Sequence, residues 1–128
     1  MGFQVKRKKN IIYNTIKYGK LLPVFPIYSF FLLYPNKEKK TRWTELIGTL
    51  VKKNFKKAVH RNRIKRLLRA SFLLNKFILE EKIERTSCSY HIVFIYIGKF
   101  LPKFQDINPS IKKIFNIIRD IETSSLLK

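Results

Sequence analysis

The sequence predicts an α+β fold, a single-domain α-β sandwich, and three observations lead to this class. Apolar residues recur at helical spacing in residues 55–84 and again in residues 111–121. Residues 28–34 and 90–97 are instead short runs of aromatic and branched side chains, as in buried strands. The chain has 128 residues, 45% of them hydrophobic, which suits one domain with one core. We therefore expect a single domain over residues 1–128.

The predicted order of elements is α-β-β-β-α-β-α, and it begins with a short helix. Residues 1–9 carry several lysines and an arginine and are expected to form a flexible basic arm. Asn10 then caps a helix from Ile11 to Tyr18, because asparagine is a favoured N-cap residue. Gly19 follows as a C-terminal stop signal.

Three strands are expected next. Residues 20–26 contain two prolines and predict a loop, after which Tyr28 to Tyr34 forms the first strand. Residues 37–42 are charged and predict a solvated hairpin tip. Trp43 to Val51 supplies a second and a third strand.

A long basic helix and a final strand and helix complete the chain. The helix begins near Phe55 and runs to about Glu84, so it forms a β-α-β crossover to the strand Tyr90 to Ile97. The near-continuous apolarity of that strand predicts that it is covered on both faces or central in the sheet. Asn108-Pro109 is a suitable pair for an N-cap and first helical position, and it predicts a last amphipathic helix as far as Ile121.

The basic helix separates its charges from its apolar residues. At about 100° per residue, one arc of Ala58 to Phe72 holds polar side chains and the opposite arc holds the core-facing ones. The polar arc consists of Arg61, Asn62, Lys65, Arg66 and Arg69. The core-facing arc consists of Ile64, Leu67, Leu68, Ser71 and Leu74. Further lysines precede the helix, namely Lys52, Lys53, Lys56 and Lys57. No acidic residue interrupts residues 46–79, which indicates a face for a polyanion.

The net charge restricts the class of partner. With 28 basic and 8 acidic residues the formal charge is +20, so nucleic acid or an anionic membrane is the expected partner, ahead of acidic proteins. The longest apolar run, residues 21–34, is shorter than the ~20 residues of a membrane span and contains two prolines. We therefore expect no membrane-spanning segment, and we predict nucleic acid and not a membrane as the partner. One cysteine, Cys88, and no recognisable secretion signal suit the cytoplasm.

Few residues could carry out chemistry. The two histidines, His60 and His91, lie on different predicted elements, and the two aspartates, Asp106 and Asp120, form no nuclease-like pair. A two-metal phosphodiester site needs several converging carboxylates. We predict that the polypeptide has no catalytic or metal-binding residues of its own.

The basic segment also resembles a known family signature. KKNFKKAVHRNRIKRLLRASF, Lys52 to Phe72, is similar to the signature of the protein component of bacterial ribonuclease P, a lysine pair and a basic stretch followed by R-N-R-x-K-R-x-x-R. Weaker matches are Lys17-Tyr18-Gly19-Lys20 and Phe25-Pro26. The departures are Ala70 where relatives often have Glu, Leu73 where they have a basic residue, and Ile12 and Ile16 where many have Phe.

The resemblance implies a function and a set of site residues. In that family an RNA subunit holds the active site and most of the Mg²⁺, and the protein assists removal of the 5′ leader from precursor tRNA. The family fold is an α-β sandwich with a left-handed crossover. The implied RNA-binding residues are Arg61, Asn62, Arg63, Lys65, Arg66 and Arg69, with Lys52, Lys53, Lys56 and Lys57. The implied leader-binding residues are Tyr28, Phe30 and Tyr34.

The implied partners are the catalytic RNA and precursor tRNA, with no obligate protein partner. Two other functions remain as alternatives. A small basic ribosomal or other structural RNA-binding protein would have similar size, charge and elements. A sequence-specific DNA-binding module is the less favoured alternative, because the sequence lacks a helix-turn-helix pair, zinc-finger spacing and a dimerising zipper.

Overall fold

Three consecutive strands follow the first helix, and a fourth strand lies between the later helices. The computed structural model describes residues 2–35, 46–52, 54–86 and 88–121. Its elements are α1 (Gly2–Tyr18), β1 (Lys20–Val24), β2 (Ile27–Pro35), β3 (Leu46–Val51), α2 (Ala58–Asn75), α3 (Phe77–Glu84), β4 (Cys88–Tyr96) and α4 (Phe104–Asp120). The predicted α+β class is confirmed, and so is the order of elements, with the long helix divided into α2 and α3.

The described strands form one four-stranded sheet in the order β1-β2-β4-β3. β1 pairs with β2 and β2 pairs with β4 in antiparallel fashion, whereas β3 and β4 are parallel. Two parallel neighbours need a crossover connection. Here α2 and α3 supply it, as predicted for the β-α-β unit that carries the basic helix. β3 is therefore an edge strand beside that helix.

The alternation along β2 separates the two faces of the sheet. Ile27, Phe31 and Leu33 are at most 1% exposed and belong to the main core. The intervening residues point to the other face and are partly exposed. The core is completed by residues of α2 and α4, including Leu68 and Phe115.

Strand β4 is covered on both faces. Ile92, Val93 and Phe94 are consecutive and each is 0% exposed. Because neighbouring strand residues point to opposite faces, all three can be buried only if both faces are covered. The prediction of a central strand is confirmed by its position between β2 and β3.

Helix α1 covers part of the second face. Thr15 is 0% exposed, and its hydroxyl donates to the Ile11 carbonyl at 2.8 Å. Gly48 of β3 faces this helix closely, since a Cβ there would lie 3.1 Å from Ile12 Cδ1. A side chain at position 48 would therefore require the Ile12 side chain to shift by a few tenths of an ångström.

The predicted start of the first helix is wrong. α1 begins at Gly2, so Asn10 lies within it and is not its cap. The backbone of residues 2–9, predicted as a flexible basic arm, is helical and belongs to α1. The segment contains Gln, Arg and three lysines, which favour helix, and it has no proline.

The predicted loop at residues 20–26 is also wrong over most of its length. Lys20–Val24 forms β1, in which Pro23 is opposite Tyr28 of β2. Proline is tolerated there because β1 is an edge strand. Within residues 43–51 the structure describes the single strand β3. The predicted hairpin tip and the start of Trp43 to Val51 lie in residues 36–45, outside the described residues.

The long basic helix is interrupted at Lys76. α2 ends at Asn75, whose side-chain amide donates to the Ser71 carbonyl at 2.8 Å. The backbone N–H of Lys76 still donates to the Phe72 carbonyl at 2.8 Å, so helical hydrogen bonding continues to Lys76 before the break. α3 starts at Phe77 and reaches Glu84, the predicted end.

The last helix starts earlier than predicted. α4 begins at Phe104, and the Asp106 carboxylate accepts a hydrogen bond from the backbone N–H of Lys103 at 2.8 Å. Asp106 thus satisfies one of the backbone donors at the helix start. Asn108 and Pro109 lie inside the helix, so they are not its N-cap pair.

Candidate nucleic-acid interface

Helix α2 turns one side to the core. Ile64 and Leu68 are 0% exposed and Phe72 is 3% exposed. The Phe72 ring packs edge-on against Phe94 and Phe115. The predicted core arc is confirmed for Ile64, Leu67, Leu68 and Ser71, all buried or packed against the core. The prediction that Leu74 faces the core is wrong, because this residue is 57% exposed and Phe72 lies in the core instead.

The predicted polyanion-binding side chains lie away from that core. Asn62, Arg63, Arg66 and Arg69 are exposed, and Arg61 and Lys65 are half-buried. Arg63 lies at the edge of the helical arc and belongs to the predicted site through the family signature. It is exposed like Asn62, Arg66 and Arg69. All six side chains of α2 are therefore at least partly exposed to solvent.

The ion pairs of the described chain lie elsewhere. They join Lys76 to Glu80, Arg85 to Glu81 and Arg119 to Asp120, on or beside α3 and α4. In the described residues, no such pair neutralises a cation on the outer side of α2. This side is therefore a concentrated positive field that attracts phosphate.

Arg61 has a structural bond as well as a charge. Its Nη1 atom donates to the carbonyl oxygens of Phe55 and Lys56, each at 2.7 Å. These two residues belong to the segment between β3 and α2. Guanidinium has five donors, so N–H groups remain for another partner. Arg61 therefore links the segment between β3 and α2 to the first turns of α2.

Arg69 makes the second connection from α2. Its Nη1 lies 3.3 Å from Thr49 Oγ1 on β3. Lys52, Lys56 and Lys57 are exposed in the segment that follows β3. Lys53 lies outside the described residues, so its place relative to the others stays a prediction.

An open cleft of about 470 Å³ lies between β3 and α2. Its lining combines apolar residues with three cations, namely Leu50, Val51, Phe55, Lys56, Arg61 and Lys65. Sequence reasoning identified the cations and missed the apolar part. The available signal was the position of Leu50 and Val51 directly before the lysines. The cleft itself depends on how α2 packs beside the edge strand.

The three aromatic candidates lie on one face of β2. Tyr28 is 39% exposed, and Phe30 and Tyr34 are half-buried. The Tyr34 ring is tilted against His91, with 4.6 Å between ring centroids. Burial lowers the pKa of His91 below its usual value. The three aromatic side chains therefore lie on the face of the sheet that α1 partly covers.

Two exposed tyrosines on α1 were not predicted as site residues. Tyr13 is 62% exposed and Tyr18 is 46% exposed. The ammonium of Lys17 lies 5.8 Å from the first ring centroid and 5.2 Å from the second. The nearby sequence signal was a lysine close to both tyrosines, a pairing that favours cation–π contact.

The described residues also lack two kinds of feature. No group of three or more His, Cys, Asp or Glu side chains could hold a metal ion. No described helix is long and apolar enough to cross a membrane.

Comparison with known proteins identifies the family. The family model "Ribonuclease P" matches residues 24–119. The ribonuclease P protein component of Porphyromonas gingivalis is 28% identical over 109 residues, covering 84% of this chain and 78% of the relative. The RNase P protein from Thermotoga maritima has a TM-score of 0.62 at 25% identity, covering 91% of this chain and 98% of that one.

A Staphylococcus aureus RNase P protein has the same fold, with a TM-score of 0.56 at 20% identity over 84% of this chain and 87% of the other. The matched region contains Lys52 to Phe72, the strands β2, β3 and β4, only the last residue of β1, and all of α4 except its last residue. The chain therefore belongs to the Ribonuclease P family and is the protein subunit of this tRNA-processing endoribonuclease.

Proposed function

We propose that this chain binds the catalytic RNA of ribonuclease P through the outer side of α2 and assists removal of the 5′ leader from precursor tRNA. One observation supports this most strongly. Arg61, Asn62, Arg63, Lys65, Arg66 and Arg69 are at least partly exposed on α2, and none of their charges is ion-paired to an acidic neighbour among the described residues. Such a surface needs phosphate to offset its self-repulsion.

The basic side chains have different tasks in this proposal. Arginine can grip two phosphate oxygens at once and stack on bases, so Arg66 and Arg69 set the geometry of the contact. Lys52, Lys56 and Lys57 add long-range attraction that salt weakens. Asn62 can both donate and accept, which suits a base edge or a ribose hydroxyl.

Precursor tRNA is the proposed substrate, and its leader is assigned to the other face of the sheet. Tyr28, Phe30 and Tyr34 lie on that face of β2, and the first of them is the most exposed. A base stacked on an aromatic ring contributes about 1–3 kcal/mol. Leader and catalytic RNA would thus contact different surfaces of the protein.

The chemistry is assigned to the RNA subunit. Mg²⁺ prefers oxygen ligands, and we propose that RNA phosphates supply most of them. The protein reduces the repulsion between two RNAs, a task that added Mg²⁺ would otherwise perform. We place this activity in the cytoplasm, without an obligate protein partner.

Reconstitution tests the proposal. The protein, freed of RNA, should not cleave precursor tRNA at any Mg²⁺ concentration. The cognate catalytic RNA should cleave it, and the protein should increase the rate most at low Mg²⁺. Polylysine is the control for charge alone and should substitute poorly. Cleavage by the RNA-free protein would contradict the assignment of catalysis to RNA.

A separate control addresses the ribosomal alternative. A structural ribosomal protein should co-sediment with one ribosomal subunit in stoichiometric amount, and a ribonuclease P subunit should not. The RNA that co-purifies with the chain should be sequenced from the same gradient. Recovery of ribosomal RNA alone would contradict the proposal.

A further inference from the structure

The cleft between β3 and α2 combines two kinds of surface that a phosphate-binding face alone does not need. Leu50, Val51 and Phe55 make one part apolar, and Lys56, Arg61 and Lys65 place three cations around it. A nucleotide has the same two parts, a planar base with little charge and an anionic phosphate. At about 470 Å³ the cleft is within the size range of small-ligand sites, roughly 300–1,000 Å³.

The walls of the cleft are held in place before any ligand arrives. Phe55 is 8% exposed, and its ring packs against Tyr96 with 6.0 Å between centroids. Arg61 is bonded to the Phe55 and Lys56 carbonyls at 2.7 Å. These bonds keep the guanidinium at the rim and reduce the ordering cost of binding.

The position of the cleft favours RNA as the source of the nucleotide. It opens at the edge strand β3, directly beside the cations of α2. A base in a duplex is stacked on its neighbours and paired with the opposite strand, whereas an unpaired base can be splayed out and can enter a cleft.

We propose that this cleft binds one unpaired nucleotide of the catalytic RNA, with its base against Leu50, Val51 and Phe55 and its phosphate near Lys56, Arg61 and Lys65. This inference rests on the proposed function and adds a specific contact to it. The apolar contact makes the binding selective for an unstacked base, and the three cations hold the backbone on either side of it.

Photocrosslinking tests the position of the nucleotide. p-Benzoylphenylalanine is placed at Leu50, and the crosslinked nucleotides of the catalytic RNA are mapped. The matched control carries the same group at Leu21, a 44% exposed leucine on the opposite edge strand β1. The probe at Leu50 should react with one unpaired nucleotide that the probe at Leu21 does not reach. Crosslinks spread over paired nucleotides, or shared with the control, would overturn the proposal.

Affinity gives the second readout. Leu50→Gln should weaken binding of the catalytic RNA about tenfold and leave the salt dependence unchanged, because a base contact is lost and no phosphate contact is. Leu21→Gln should bind as the unmodified protein does. Urea denaturation of both variants identifies any loss of folded protein. Unchanged affinity in folded Leu50→Gln would also overturn the proposal.

The two proposals fail in different ways. If the unmodified protein binds the catalytic RNA and stimulates cleavage while Leu50 gives scattered crosslinks, only the nucleotide site is wrong. If it fails to stimulate cleavage but crosslinks one unpaired nucleotide of another RNA, the proposed function is wrong and the cleft is still a nucleotide site.

Discussion

The side chains of Asn75 and Asn108 meet between α2 and α4, where Asn75 Nδ2 donates to Asn108 Oδ1 at 2.7 Å. Ser71 Oγ donates to the same oxygen at 2.8 Å. Asn75 is 4% exposed and Ser71 is 0% exposed, so these polar groups depend on one another for hydrogen bonds. The contact fixes the helix that carries the basic face against the helix that closes the core.

We expect Asn75→Ala to lower the free energy of unfolding by about 1–3 kcal/mol, because the hydrogen bonds from its buried amide to Asn108 and to the Ser71 carbonyl are both lost. Urea denaturation followed by circular dichroism measures the change. The matched control is Asn62→Ala, an exposed asparagine on the same helix, which should stay within about 0.5 kcal/mol. Equal effects of the two substitutions would contradict a role for the buried contact.

Arg66→Ala should weaken binding of RNA and reduce the slope of log affinity against log salt by roughly one unit, because one phosphate contact is lost. Binding titrations at several salt concentrations measure this slope. Arg85→Ala is the control, since it removes an exposed arginine that pairs with Glu81 outside the basic face. An unchanged slope for Arg66→Ala would exclude a direct phosphate contact at that position.

Ile64→Asp should unfold the protein instead of changing RNA affinity in a folded state. Ile64 is 0% exposed in the core, and an isolated buried carboxylate costs several kcal/mol, against a total stability of about 5–15 kcal/mol for ordinary domains. Loss of the circular dichroism signal checks the result. Arg63→Asp, at the exposed neighbouring position, should remain folded and bind RNA less tightly. A folded Ile64→Asp protein would show that this side of α2 is not packed as described.

His91 should make stability depend on pH. Burial lowers the pKa of His91, so the folded state binds a proton less readily than the unfolded state does. Its contribution is fully present above the usual pKa of about 6.5 and is lost as the pH falls through the lowered value, by at most about 1.4 kcal/mol per pH unit. Unfolding free energies at pH 7.5 and 5.5 should show less change in His91→Phe than in the unmodified protein. The same pH dependence in both would contradict the prediction.

Predictions from the sequence agree best with the structure where they depend on residues that are close together in the chain. The two arcs of α2 follow from helical spacing, and Ile64 and Leu68 lie in the core as that spacing requires. The apolarity of β4 likewise predicted a strand that is covered on both faces or central in the sheet. The predictions failed where pairing partners are distant. Lys20–Val24 contains Pro23 and is followed by Pro26, a pattern typical of a loop, and it becomes a strand because β2 lies beside it.

For the candidate site, the sequence by itself determined the charge, the basic face of α2 and the resemblance to a family, since each is a property of consecutive residues. Only the tertiary structure decided that Arg61 is bonded to the segment after β3, and that Leu50, Val51 and Phe55 adjoin the cations of α2. It also separated the aromatics of β2 from that helix. The physical reason is that side chains from different elements come together only when the sheet and helices pack, and burial of the shared core, including Phe72 and Phe94, sets how they do so.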